Sequence, residues 1–206
     1  MTSDILNIVE IVGLNDDLLL PWLGLYETAF SPSERVLVSF LLKLLKDKTH
    51  GLAQDPYLLA ALDKQRTLVG IAMYELDRES ETALLWYLAI VPENRSKGLG
   101  SIFYREILHR VDSSVRALLF EVEIPDESKS GEGRQFAQRR IQFYRRHGAF
   151  VLNGIHYMQH VGKHQPPIPM HIMVHPFQPI TPQTAFKLTK SMFEDSITQI
   201  GPLALE

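Results

Sequence analysis

The segment Arg95-Ser96-Lys97-Gly98-Leu99-Gly100-Ser101 sets two cations and two glycines where an apolar run, Leu84 to Val91, gives way to a helical pattern. Glycines at such a junction let backbone N–H groups approach a ligand with no side chain between them. A helix N-terminus adds about half a positive charge, which favours phosphate. Arg95 and Lys97 add formal charge at the same place. This is equipment for holding a pyrophosphate. A P-loop would need its lysine after the second glycine, whereas Lys97 precedes both, and a dinucleotide fingerprint would need a third small residue where Phe103 stands.

Acid and base candidates lie further on. In Phe120-Glu121-Val122-Glu123-Ile124 a strand period of two puts Glu121 and Glu123 on one face, about 7 Å apart. Two carboxylates on a buried strand are costly unless water, a partner or a cationic ligand meets them. They could take a proton from an ammonium directly or through water; a salt bridge to Arg139 or Arg140 is the alternative. Tyr144, at helical spacing from Ala137 and Ile141, can pack in the apolar face of its helix. Glu34 is explained by helix capping. Histidines 156, 160, 164, 171 and 175 recur every four residues in two groups. That spacing could hold zinc on a helix, but this stretch reads as strands and a proline loop, so no metal is expected.

The elements that must position these residues follow from periodicity. Asp4 to Val12 reads as a strand, and Asn15-Asp16-Asp17 starts a helix with Leu18, Leu19, Trp22, Tyr26 and Phe30 at helical spacing. Ser31-Pro32-Ser33-Glu34 has the form of a capping box with proline at the first helical position. It predicts a helix burying Val36, Leu37, Phe40, Leu41, Leu44 and Leu45. Strands are predicted over Tyr57 to Leu62, Thr67 to Leu76, Leu84 to Val91 and Ala117 to Ile124, with helices over Gly98 to Val111 and Arg134 to His147. Phe150 to His160 and Met170 to Val174 are closing strands, and Thr184 to Ile197 is a terminal helix. The mixture predicts one central sheet flanked by helices, a mixed α/β fold in a single domain over 1–206. Its core runs from about 4 to 175, with a C-terminal helical extension.

Composition sets bounds on what such a domain does. The chain has 206 residues, 45% apolar and 22% charged, the balance of a globular protein with a real core. There is no cysteine, which removes disulfides, thiolate metal sites and a cysteine nucleophile together. An acyl group, if moved, goes directly from donor to acceptor. No apolar run approaches the ~20 residues that span a bilayer, and the first residues lack a signal peptide's basic start. A cytoplasmic protein with no membrane partner is expected. The formal charge of -3 is too mild to imply nucleic acid. Residues 1–34 carry six acids and no Lys or Arg, and residues 95–163 carry twelve Lys and Arg against seven acids. These are differing solvated faces, or an acidic part that meets a cationic substrate and a basic half that meets an anionic cofactor.

Arg95-Ser-Lys-Gly98-Leu-Gly100 matches Arg/Gln-x-x-Gly-x-Gly/Ala and resembles the coenzyme A pyrophosphate loop of the GNAT superfamily of acyl-CoA N-acyltransferases. Val91-Pro92-Glu93-Asn94 resembles the family's lead-in. Arg140-Ile-Gln-Phe143-Tyr144-Arg-Arg-His-Gly148-Ala149 resembles its second signature, a Phe-Tyr pair four residues before a Gly-Ala step. Ala137 departs from the pattern, standing where many members carry Asn. The resemblance implies a mostly antiparallel sheet in which the strand Leu84 to Val91 splays from the strand Ala117 to Ile124. It implies that backbone groups around Leu88, Ala89 and Ile90 pair with the pantetheine arm of acetyl-CoA, and that one of their N–H groups stabilises the thioester oxyanion. It makes Tyr144 the general acid. The expected partners are an acyl-CoA and an amine, with the charges tilting toward a cationic one, and a homodimer is compatible with the sequence. The alternative is a non-catalytic acyl-CoA-binding module of the same fold.

Overall fold

Residues 6–47, 54–111, 115–127, 130–160 and 166–206 are described by the structure, a computed structural model. They form β1 (Asn7–Ile11), α1 (Leu19–Ala29), α2 (Val38–Asp47), β2 (Gln54–Leu62), β3 (Leu68–Asp77), β4 (Thr82–Ile90), α3 (Leu99–Val111), β5 (Ala117–Glu123), α4 (Gly131–Arg145), β6 (Phe150–Gln159), β7 (Ile168–Pro176), α5 (Pro182–Phe193) and β8 (Ile197–Leu205). The chain divides into two compact units, Met1–Leu76 with Leu85–Val111, and Asp77–Leu84 with Asp112–Glu206.

In the first unit the strand order is β1-β2-β3-β4, with β1 antiparallel to β2 from Asn7 against Leu62 to Ile11 against Leu58. Asp63 makes the β2–β3 turn: its Oδ1 accepts from the N–H groups of Gln65 and Thr67, both at 2.9 Å. α1 buries Leu19, Trp22, Leu23 and Tyr26, the stripe a 3.6-residue period produces. The Trp22 indole N–H donates to the Leu59 carbonyl at 3.0 Å, so the largest core side chain also meets its polar requirement.

α2 begins at Val38, seven residues after the predicted cap at Ser31. The capping contacts exist, with Ser31 N–H donating to Glu34 Oε2 at 3.2 Å, but they close a turn. The reason lies in the backbone of Val36. Its N–H donates to the Tyr87 hydroxyl at 3.1 Å and its carbonyl accepts from the Tyr26 hydroxyl at 2.9 Å. Two core tyrosines thus take the groups a helix would use. Leu41 and Leu45 are buried as predicted, whereas Leu37 (76% exposed) and Phe40 (42%) are not.

In the second unit the first residues of β4 pair in parallel with β5, Thr82 to Leu84 against Ala117 to Leu119. β5 is antiparallel to β7, and β6 is antiparallel to both β7 and β8, in the order β5-β7-β6-β8. This is the predicted mixed α/β class with a mostly antiparallel sheet. Ser130 caps α4 by accepting from the Gly133 N–H at 3.0 Å, and Gly148 (φ 91°) follows the helix in the left-handed conformation expected of a stop.

The predicted terminal helix is shorter than expected. It ends at Phe193, and Ile197–Leu205 forms a further strand, β8, along β6. Pro202 is tolerated within β8 because that strand closes the order. The extension is therefore helix and strand. Gly154 (φ 83°) lies at the register shift between β6 and β8, where a Cβ would run into the Pro202 carbonyl.

Candidate active site

In the first unit, β4 leaves a stripe of half-buried side chains, Trp86, Leu88 and Ile90, alternating with buried Tyr87 and Ala89. A single 3-10 turn over Pro92–Asn94 then leads to the glycine loop. Ser96 (φ 61°) and Gly98 (φ 82°) both adopt left-handed backbone, which for serine is uncommon and marks a conformation imposed by its surroundings. No heavy atom lies within 4 Å of where a Cβ on Gly98 would sit. The glycine therefore serves its backbone angle and an open side, not a tight internal contact.

The loop hands over directly to α3. The Gly98 carbonyl accepts from Ser101 and Ile102 N–H groups at 3.0 and 3.2 Å, and Leu99 is buried and anchors the first turn. The N–H groups of the opening residues have no intrahelical acceptor by the geometry of any helix start. Arg95, Ser96, Lys97 and Gly98 are exposed. Arg95 is partly committed, since its Nε–H donates to the Ile90 carbonyl at 3.0 Å and closes the loop on the end of β4. Open glycine backbone, a helix start and two cations suit a phosphate-bearing ligand.

In the second unit the two carboxylates of β5 have different partners. Glu121 accepts from the Tyr157 hydroxyl and, at 2.8 Å, from the Gln159 side-chain amide, both on β6. Glu123 pairs with Arg140 of α4, whose Nη1 lies 2.9 Å from each carboxylate oxygen. Burial pushes the Glu121 carboxyl above the usual range, and its two hydrogen bonds pull it part of the way back. Tyr144 is buried in α4, its ring 4.2 Å centroid to centroid from Phe120. Burial pushes its hydroxyl up to about 12, against a lowering by Arg140 and a raising by Glu123, so it carries its proton at neutral pH. Ala137 is also buried in α4.

Tyr157 and Gln159 were not singled out by the sequence. The signal was present, since residues two apart on a strand share a face. The histidines lie on strands, not on one helix: His156 is on β6, His160 beyond its end, and His171 and His175 on β7, while His164 falls outside the described residues. Among the described residues no group of three or more His, Cys, Asp or Glu is arranged to hold a metal ion, and no helix is long and apolar enough to cross a membrane.

A mostly antiparallel sheet, with a glycine loop between a buried strand and a helix, is the arrangement of the GNAT fold. The model of the GNAT acetyltransferase family matches residues 21–149, and the chain belongs to that family. It is an acyl-CoA-dependent N-acetyltransferase. Among solved structures, the chain is similar to a GNAT-family protein from Bacteroides thetaiotaomicron (TM-score 0.71, 20% identity, 91% of this chain and 98% of that one). It is also similar to the spermidine/spermine N-acetyltransferase SpeG from Vibrio cholerae (TM-score 0.57, 15% identity, 84% of this chain and 92% of that one). At these identities the likeness is one of fold. No curated protein sequence matches.

Proposed function

We propose that the protein transfers an acetyl or other small acyl group directly from acyl-coenzyme A to a primary amine, with a cationic amine as acceptor, and that it does so as one GNAT-like domain. The observation that carries this reading is the glycine loop: Gly98, left-handed and open on its Cβ side, ahead of α3 in a chain of this family.

Acetyl-CoA supplies the activated thioester. Backbone groups of Gly98, Leu99 and Gly100 would hold its pyrophosphate, with Arg95, Ser96, Lys97 and Ser101 around it. Leu88, Ala89 and Ile90 would present backbone groups to the pantetheine arm. Glu121 is the base that takes a proton from the alkylammonium; Glu123, the second carboxylate of β5, is held by Arg140. Tyr144 holds at its Oη the proton the departing thiolate needs. The nitrogen loses two protons in all: one passes through Glu121 to water, and one restores the Tyr144 hydroxyl.

The test is a thermal shift with acetyl-CoA, followed by free-thiol release with a panel of amines. A ligand specific for the native state must raise the melting temperature. No shift at millimolar acetyl-CoA removes the reading, and a shift without thiol release from any amine leaves a binding module.

A further inference from the structure

β6 and β7 keep register at Val151 against Met173 and again at Met158 against Pro169. Between those points β6 advances seven residues while β7 advances four, so β6 carries three extra residues. Tyr157 is the last residue of that interval and Gln159 lies just past it. Both reach Glu121 on β5 although β7 lies between the two strands. Strands two places apart are separated by about 9–10 Å, a span that a tyrosine and a glutamate close end to end. Each carboxylate oxygen of Glu121 receives one donor, Oε1 from Tyr157 and Oε2 from Gln159.

The orientation of Gln159 is informative. Its amide nitrogen is spent on Glu121 while its own Oε1 is buried with no hydrogen-bond partner among the described residues. An amide packed for structure alone would satisfy both ends, because an unmet buried acceptor is unfavourable. Two donors, one facing each carboxylate oxygen, suit the ionised form, which only accepts hydrogen bonds. Burial opposes that form, and the two donors sustain it.

We propose that Tyr157 and Gln159 are positioning residues for acyl transfer, holding Glu121 oriented and ionised so that it can take the proton of the acceptor ammonium. This rests on the acetyl-transfer reading above. One N–H bond of the ammonium breaks and one O–H bond forms on Glu121, with no other reactant. On its own strand Glu123 is neutralised by Arg140 of α4. From β7, His171 lies opposite Val122 and is held below its ordinary range by burial. From α5, the apolar ring of Phe193 packs on Tyr157 at 4.9 Å.

The experiment compares wild type, Tyr157→Phe, Gln159→Met and Glu121→Gln. The first readout needs no cofactor: a carbon-13 titration of the Glu121 carboxyl, assigned by its loss in Glu121→Gln. Removing a donor to the anion should move its midpoint upward by about 0.5–1 pH unit in either variant. The second readout is the acid limb of kcat/KM for the amine that releases thiol fastest from acetyl-CoA. That limb should move upward by the same amount, costing about three- to tenfold below it, while KM for acetyl-CoA is unchanged. A limb that stays in place in folded Tyr157→Phe and Gln159→Met overturns the proposal, as does an unmoved carboxyl titration. If wild type releases no thiol with any amine, the acetyl-transfer reading falls and this inference with it. Thiol release with an unmoved limb overturns this inference alone.

Discussion

The Nε–H of Arg95 donates to the carbonyl of Ile90 at 3.0 Å, tying the cationic start of the glycine loop to the last residue of β4. The same side chain that brings charge to the loop also fixes its shape. Arg95→Ala should therefore weaken acetyl-CoA binding about three- to tenfold, on the order of 1 kcal/mol, because backbone N–H groups and the helix start remain. Titration calorimetry reads this directly. Unchanged affinity would leave Arg95 with only its contact to Ile90.

Gly98 tests the loop more severely. Its φ of 82° makes any L side chain strained, but the open side leaves room for one. Gly98→Glu should unfold cooperatively with a loss of about 1–3 kcal/mol from backbone strain, and should lose acetyl-CoA binding through bulk and negative charge. Gly98→Asn, which tolerates left-handed backbone better, should keep measurable binding. Parent-like binding by folded Gly98→Glu would put the cofactor elsewhere.

Tyr144→Phe separates packing from chemistry. The ring on Phe120 is retained, so the melting temperature should stay within a few degrees. Only the hydroxyl is lost. A positioned general acid is worth roughly 10²–10⁴ in rate, about 3–5 kcal/mol of barrier. Turnover should fall at least about tenfold while acetyl-CoA affinity stays within a few-fold, and a more acidic leaving thiol should recover part of the loss. Unchanged turnover, with chemistry rate-limiting, would return Tyr144 to the packing it makes with Phe120.

Glu121 also predicts a pH dependence of stability. Its folded-state affinity for a proton is raised above the unfolded value near 4.5. The folded state therefore binds the proton more tightly, and that contribution is complete below the unfolded value and lost as pH rises through the folded one. Glu121→Gln has no such term. Denaturant unfolding from pH 4 to pH 8 should show the variant gaining stability relative to wild type as pH rises. A constant difference across that range would contradict the buried, proton-binding carboxylate.

Much of this was legible in the sequence. The loop from Arg95 to Ser101 stands out in the sequence because its features are local: glycine conformation, charge and a helix start sit within seven residues. Most strands and helices fell within a few residues of their predicted bounds, since apolar periodicity is also local. What could not be read depends on distant partners. The late start of α2 is decided by Tyr87, some fifty residues from Val36. β8 is decided by β6, which accommodates it through Gly154. The different fates of Glu121 and Glu123 are decided by Tyr157 and Arg140. Strand alternation placed both carboxylates on one face; it could not name the side chains that would reach them.

Acyl transfer itself is tested most directly by following free thiol from acetyl-CoA in the presence of primary amines. The protein contains no cysteine, so every thiol detected comes from coenzyme A. Thiol should appear in proportion to enzyme, depend on the amine, and match the acetylated amine mole for mole. It should vanish in Gly98→Glu. A wild-type protein that binds acetyl-CoA yet releases no thiol with any alkylamine, polyamine or amino acid would contradict the account.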